Sequence, residues 1–163
     1  MNDAFFDRPP EAASTDDRTD KTVLRTWLRL LACTGQMERR VRRGFREDFD
    51  FTLPRFDVLA QLDRNPDGMS MGGLSEQLMV SAGNITGLID RLRKDGLVDR
   101  VADPRDRRTQ RVGLTPAGKE LFSRLAPRHR SWVRAMFADM EPEQVEQLLG
   151  LLNTLKRSLD ANQ

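Results

Sequence analysis

Ser81-Ala82-Gly83-Asn84-Ile85-Thr86-Gly87-Leu88-Ile89-Asp90-Arg91-Leu92, closed by Arg93-Lys94-Asp95-Gly96, carries the pattern from which the rest of the chain can be read. Ser81 is a favourable N-cap, and Ile85, Leu88, Ile89 and Leu92 recur at i, i+3, i+4 and i+7 before Asp95-Gly96 stops the pattern, so residues 81–96 are predicted to form one amphipathic helix. Its apolar stripe faces a core, which leaves Ser81, Gly83, Asn84, Thr86, Asp90 and Arg91 free to point elsewhere. Gly83 and Gly87 each cost about 1 kcal/mol relative to Ala inside a helix. A slim face is therefore required, either by a closely approaching phosphate backbone or by another helix. Ser81, Asn84 and Thr86 beside these glycines can donate to phosphates or reach base edges.

Working outward, residues 70–79 read as a short helix with Leu74 and Leu78 inward, weakened by Gly72 and Gly73. Before it, Phe51-Thr52-Leu53-Pro54 restarts the chain with Thr52 as N-cap and Pro54 in the first turn. The helix so begun runs through Phe56, Leu59 and Leu62 to the turn Asn65-Pro66-Asp67-Gly68. After Gly96, residues 97–101 and 110–114 are β-compatible runs around a loop, and are expected to pair as a hairpin. Thr115-Pro116 opens a helix through Leu121, Phe122, Leu125, Val133, Met136 and Phe137, with Pro127 expected to bend or interrupt it. Pro142 starts the last helix, whose stripe is Val145, Leu148, Leu149, Leu152, Leu155 and Leu159. The fold class is mainly α with a small β-hairpin: a winged helix-turn-helix lobe over residues 51–114, flanked by a long helix over 21–50 and two helices over 115–163. Residues 1–20 are polar, without a sustained apolar period, and are expected to form a mobile arm.

The formal net charge of the 163 residues is only +2, so the distribution of charge matters more than its sum. Arginine is dense over 39–46 and again over 105–111. The hairpin tip, Asp103-Pro104-Arg105-Asp106-Arg107-Arg108, places three guanidinium groups among two carboxylates that can orient them towards a minor groove. The other reading is an exposed loop laced with weak ion pairs. The single Cys, Cys33, excludes an intramolecular disulfide and a multi-cysteine zinc site, and fits a reducing cytoplasm. His129 stands alone and reads as a surface or packing residue. No cofactor or metal site is expected. There is no leader pattern and no apolar run of about 20 residues, so neither secretion nor membrane insertion is expected. An enzyme is disfavoured by the lack of a Ser/His/Asp arrangement, phosphate loop or metal spacing.

Leu74-Ser75-Glu76-Gln77-Leu78, residues 84–92 and Asp95-Gly96-Leu97-Val98 resemble the helix-turn-helix of MarR-family regulators. Residues 103–108 followed by Leu114-Thr115-Pro116-Ala117-Gly118 resemble their wing and its junction to the next helix. The resemblance implies a sequence-specific DNA-binding transcription regulator, with Arg108 inserted in the minor groove, Asp106 supporting it, and Arg105 and Arg107 contacting the backbone. Gly113 departs from the pattern, standing where a returning strand usually has a side chain. The resemblance also implies a homodimer built by the helices over 21–50 and 115–163. The stripe ending at Leu159 agrees, being more apolar than a terminal surface helix needs, although it could fold back on its own domain. A two-fold dimer predicts a pseudo-palindromic operator with half-sites about 10 bp apart.

Residues 27–34, with 52–57 behind them, are similar to a subgroup that controls aromatic-acid catabolism of the hydroxycinnamate or benzoate type. That likeness implies repression relieved by a small anionic aromatic acid or its CoA thioester, with Trp27, Leu31, Thr34, Phe56 and Arg39 as the effector site. Trp27, Leu31 and Phe56 read equally well as plain core, and the arginines over 39–46 as a solvated helix face. Two other readings are a redox-responsive regulator using Cys33 and a winged helix serving as a protein-interaction module. The former lacks the Tyr residues that orient the thiolate in relatives of that kind, and Cys33 reads equally as a small packing residue.

Overall fold

The computed structural model describes residues 15–102 and 110–161. In chain order these form α1 (Thr15–Phe49), α2 (Leu53–Arg64), α3 (Met71–Gln77), α4 (Ala82–Lys94), strands β1 (Val98–Ala102) and β2 (Gln110–Leu114), α5 (Pro116–Met136) and α6 (Pro142–Ala161). The chain divides into two compact units, residues 1–39 and 40–163.

In the first unit the described part is the N-terminal stretch of α1. The helix starts at Thr15, so residues 15–20, which read as the end of the arm, are helical. Apolar periodicity fails there; Arg18, Thr19 and Asp20 are exposed, and exposed positions do not need it. What a helix does need is freedom from breakers, and no Pro or Gly intervenes between Pro10 and Gly35. The hydroxyls of Thr22 and Thr26 donate to the carbonyls of Arg18 and Thr22, both at 2.9 Å. Val23, Leu24, Trp27, Leu28 and Leu31 are exposed on this stretch, so Trp27 and Leu31 are not core within the chain. Cys33 is exposed as well, rather than packed.

The second unit is organised around an aromatic cluster. Phe45, at the end of α1, lies 4.6 Å from Phe56 of α2, centroid to centroid, and meets Trp132 of α5 edge-on at 5.0 Å. Phe56 stacks in turn on Phe122 at 5.6 Å and meets the His129 ring at a tilt, 4.7 Å between centroids. Gly44 allows this, since a Cβ there would stand 2.8 Å from the Trp132 ring. Arg128 reinforces the same contact by donating to Asp48 at 2.6 Å. α1 ends where Asp50 turns left-handed (φ 47°), a conformation that Asp tolerates better than most residues. Thr52 precedes α2 with N-cap backbone angles but makes no side-chain cap; its carbonyl accepts from Phe56 N–H at 3.1 Å, and Pro54 in the first turn removes one donor that would need a partner.

β1 and β2 pair antiparallel in the register Val98↔Leu114 to Ala102↔Gln110, one residue later at β1 than the sequence pattern suggests. Met69 and Val112 exchange both backbone hydrogen bonds, at 2.9 and 2.8 Å, so the hairpin is also stitched to the segment entering α3. At Gly113 an added Cβ would lie 3.2 Å from a Val101 methyl, so the missing side chain there makes room for Val101 in the hairpin.

The junction into α5 is tighter still. Thr115 donates its N–H to the Leu97 carbonyl at 3.1 Å and its hydroxyl to the Gly96 carbonyl at 2.6 Å, and its oxygen caps Gly118 N–H at 3.0 Å. Gly118 is buried against Leu97, where a Cβ would fall 2.0 Å from the carbonyl oxygen. α5 then continues through Pro127, so of the two expectations for that residue an interruption does not occur. Leu125 is fully buried and His129 is packed among the rings, so tertiary contacts on both sides of the proline hold the helix together. In α6 no residue is buried, and Leu149, Leu151, Leu152, Leu155 and Leu159 are exposed. The stripe is half-buried at Val145 and Leu148 but exposed from Leu149 to Leu159, so that longer part does not fold back on its own domain.

Gly118→Ala should destabilise the chain by at least the upper part of the ~1–3 kcal/mol range for overpacking, read as a lower urea midpoint at unchanged m. Burial lowers the pKa of His129 from 6.5, so the unfolded chain takes up this proton more readily than the folded one. Its contribution to stability is therefore complete above 6.5 and declines as pH falls from 6.5 towards the lowered value. His129→Phe should flatten that part of the pH–stability curve; a curve of unaltered slope would assign the effect to other groups.

Candidate nucleic-acid interface

Ser70 caps α3 by accepting from Gly73 N–H at 3.1 Å, and Leu74 buries this short helix against the core. The helix ends at Gln77, earlier than the pattern suggested. Met79 then turns left-handed (φ 51°), and Ser75 braces the turn by donating its hydroxyl to the Val80 carbonyl. Ser81 caps α4 as expected, accepting from Asn84 N–H at 3.3 Å. Ile85, Ile89 and Leu92 are buried, while Ser81, Gly83, Asn84, Thr86, Gly87, Asp90 and Arg91 are all exposed. The helix thus separates an anchored face from a free one. No neighbouring atom comes within 4 Å of a Cβ built at Gly83 or Gly87, so no packed helix of the described residues accounts for them.

The Thr86 hydroxyl donates to the Ala82 carbonyl at 2.9 Å. Its one proton is thereby used inside the helix, which leaves Thr86 its methyl and an accepting oxygen rather than the donor that the sequence suggested. At the other end, Arg91, Arg93 and Lys94 occupy the last turn, where the helix dipole favours cations. Gly96 (φ 69°) then turns the chain into the hairpin. Arg55 of α2 pairs with Asp95, the C-cap of α4, and its guanidinium lies 4.3 Å above the Phe51 ring. This clamp sets the far end of α4 against α2. Nothing in the spacing of charges along the chain points to it, because the two residues lie forty positions apart.

Arg105, Asp106, Arg107 and Arg108 lie outside the described residues, which stop at Ala102 and resume at Gln110. Among the effector candidates, Trp27, Leu31, Thr34 and Arg39 are exposed on the first unit, the first three at i, i+4 and i+7. Phe56 belongs to the second unit, where it is buried among Phe45, Phe122 and His129 as a core residue. No cluster of three potential metal ligands occurs among the described residues, and none of their helices is long and apolar enough to cross a membrane.

Residues 49–109 match the model of the MarR family. The transcriptional activatory protein BadR of Rhodopseudomonas palustris is 33% identical over 154 residues, spanning 88% of this chain and 87% of BadR. The chain belongs to the MarR family. A MarR family transcriptional regulator from Silicibacter pomeroyi has the same fold, with a TM-score of 0.74 and 31% identity over 88% of this chain and 98% of that one. CouR from Rhodococcus jostii RHA1, solved bound to p-coumaroyl-CoA, shares the fold at a TM-score of 0.69 and 23% identity, over 77% of this chain and 87% of CouR. MarR-family proteins are DNA-binding transcription regulators that act as dimers.

Because the space around Gly87 is open and its backbone helical, Gly87→Ala should stabilise this MarR protein by about 0.5–1 kcal/mol in urea titrations. A loss of stability would reveal a contact that the open face does not show.

Proposed function

We propose that this chain is an effector-controlled homodimeric regulator that binds a pseudo-palindromic operator through the free face of α4 and the arginine-bearing hairpin tip. The observation that carries the reading is the glycine pair on α4. Gly83 and Gly87 cost helix stability, no described residue packs on them, and they stand beside exposed Ser81 and Asn84 at the end of the helix that enters a major groove in proteins of this architecture. In this reading Ser81, Gly83, Asn84, Thr86 and Arg91 face the duplex, Arg108 enters the minor groove supported by Asp106, and Arg105 and Arg107 hold the backbone. Exposed leucines on α6 and the exposed Val23, Leu24, Trp27, Leu28 and Leu31 on α1 support a second copy as the partner of both stripes.

For the effector, the best-supported class is a small aromatic acid or its CoA thioester, with Trp27, Leu31, Thr34 and Arg39 as contacts. Its support is the surface these residues leave exposed and the p-coumaroyl-CoA bound to CouR. The effector acts by favouring a dimer whose recognition helices are wrongly spaced for the operator. BadR is described as activatory, so operator occupancy, not its sign on transcription, is the step held in common.

On a duplex selected from a random pool, affinity should fall steeply and linearly with log salt; a flat response would point to a protein partner instead. Replacing Asn84 and Arg108 by Ala together should weaken binding at least tenfold, within the ~1–3 kcal/mol of one good base contact, and unchanged affinity would sink the assignment of both elements. Leu152→Glu with Leu155→Glu should shift sedimentation from dimer to monomer. Benzoates, hydroxycinnamates and their CoA esters can be screened by thermal shift, because a ligand of the native state raises its stability as RT ln(1 + [L]/Kd).

A further inference from the structure

An open cleft of about 420 Å³ lies between α3 and α4, with Gly72, Glu76, Met79, Ala82 and Thr86 among its walls. Met79 is the anomaly there. It sits in the left-handed turn between the two helices and is 93% exposed, the most exposed of the large apolar side chains described. The same cleft is lined by Ala82, in the first turn of α4, and by Thr86, whose hydroxyl proton is committed to the Ala82 carbonyl. What the Ala82 and Thr86 side chains present here is therefore methyl groups and one accepting oxygen, without a donor. Among the described residues no lysine, arginine, asparagine or glutamine lines the cleft, and the Glu76 carboxylate there would repel a phosphodiester. A phosphate backbone does not suit this surface, but a base edge does.

The N-terminal residues of a recognition helix are the ones that meet base edges in the major groove, and the only apolar group displayed there by the four bases is the C5-methyl of thymine. We infer that Met79, Ala82 and Thr86 form an apolar reader of thymine methyls, making Met79 a specificity-determining residue outside the helix itself. The inference rests on the DNA-binding reading of α4, and it adds the chemistry by which that face chooses its sequence. Glu76 at the edge of the cleft is placed to accept from the exocyclic amine of a neighbouring cytosine, which would reinforce the choice of a base edge over a phosphate.

Uracil differs from thymine only by the methyl, so the test is a thymine-to-uracil scan of a duplex enriched from a random pool by the full chain. At one or more thymines of each half-site, uracil should weaken binding about fourfold, the effect of one buried methyl. Met79→Gly suits the left-handed backbone better than Met and should fold at least as well; its sensitivity to uracil at one of those positions should disappear, while the slope of affinity against salt stays as in the parent chain. Salt-dependent binding with equal affinity for thymine and uracil duplexes, or undiminished uracil sensitivity in Met79→Gly, overturns the methyl reader and leaves the DNA-binding reading intact. Failure to enrich any duplex, with no salt-dependent binding, overturns both.

Discussion

The close approach of α5 to the Leu97 carbonyl is the constraint on which the DNA-facing lobe depends. Gly118 has no side chain to obstruct it, and Thr115 uses its N–H and hydroxyl to tie the same corner to Leu97 and Gly96. The end of α4, the start of β1, the end of β2 and the first turn of α5 are thereby held at one point. In the proposed reading α4 and the hairpin act on one duplex, which requires their separation to be fixed, and this corner fixes where the hairpin leaves α4. Met69 and Val112 add a second stitch from the other side of the lobe.

The two ends of α4 are secured by different physics. At its start, Ser81 satisfies a backbone donor that would otherwise be orphaned, and the braced turn at Met79 sets the direction of entry. At its end, the Arg55–Asp95 pair and the Phe51 ring hold the C-cap to α2, while Ile85, Ile89 and Leu92 anchor the length between. With position and pitch set from inside, the outer face is free of any packing duty. That freedom is what allows glycine and threonine to persist there despite their cost to the helix.

The aromatic cluster gives the second unit a different kind of rigidity. Phe45, Phe56, Phe122, His129 and Trp132 come from three helices and bury one another, so α2 is locked between the end of α1 and α5. His129, a lone histidine in the sequence, is a packing residue whose ring stands among those of Phe45 and Phe56. Phe56 looked equally suited to a ligand pocket and to a core, because an aromatic side chain inside a helix has the same spacing in both. Only its neighbours decide, and they are rings.

Local rules carried the helix boundaries around α4. The cap at Ser81, the stop at Gly96, the hairpin and the Thr115-Pro116 start were legible because each depends on interactions within a few residues, and the family motif in residues 74–118 follows from the same segments. The start of α1 and the continuity of α5 through Pro127 were not, since one lacks an apolar period and the other contains a breaker. Three-dimensional contact alone decided that Gly118 is indispensable at its position, that Arg55 closes on Asp95 forty residues away, and that Met79, flanked by Leu78 and Val80 as if it were core, points outward. The physical reason is common to all three. Periodicity reports which side of a helix is apolar, whereas the direction of a side chain at a turn and the partner of a distant charge depend on where other segments lie when the chain is folded.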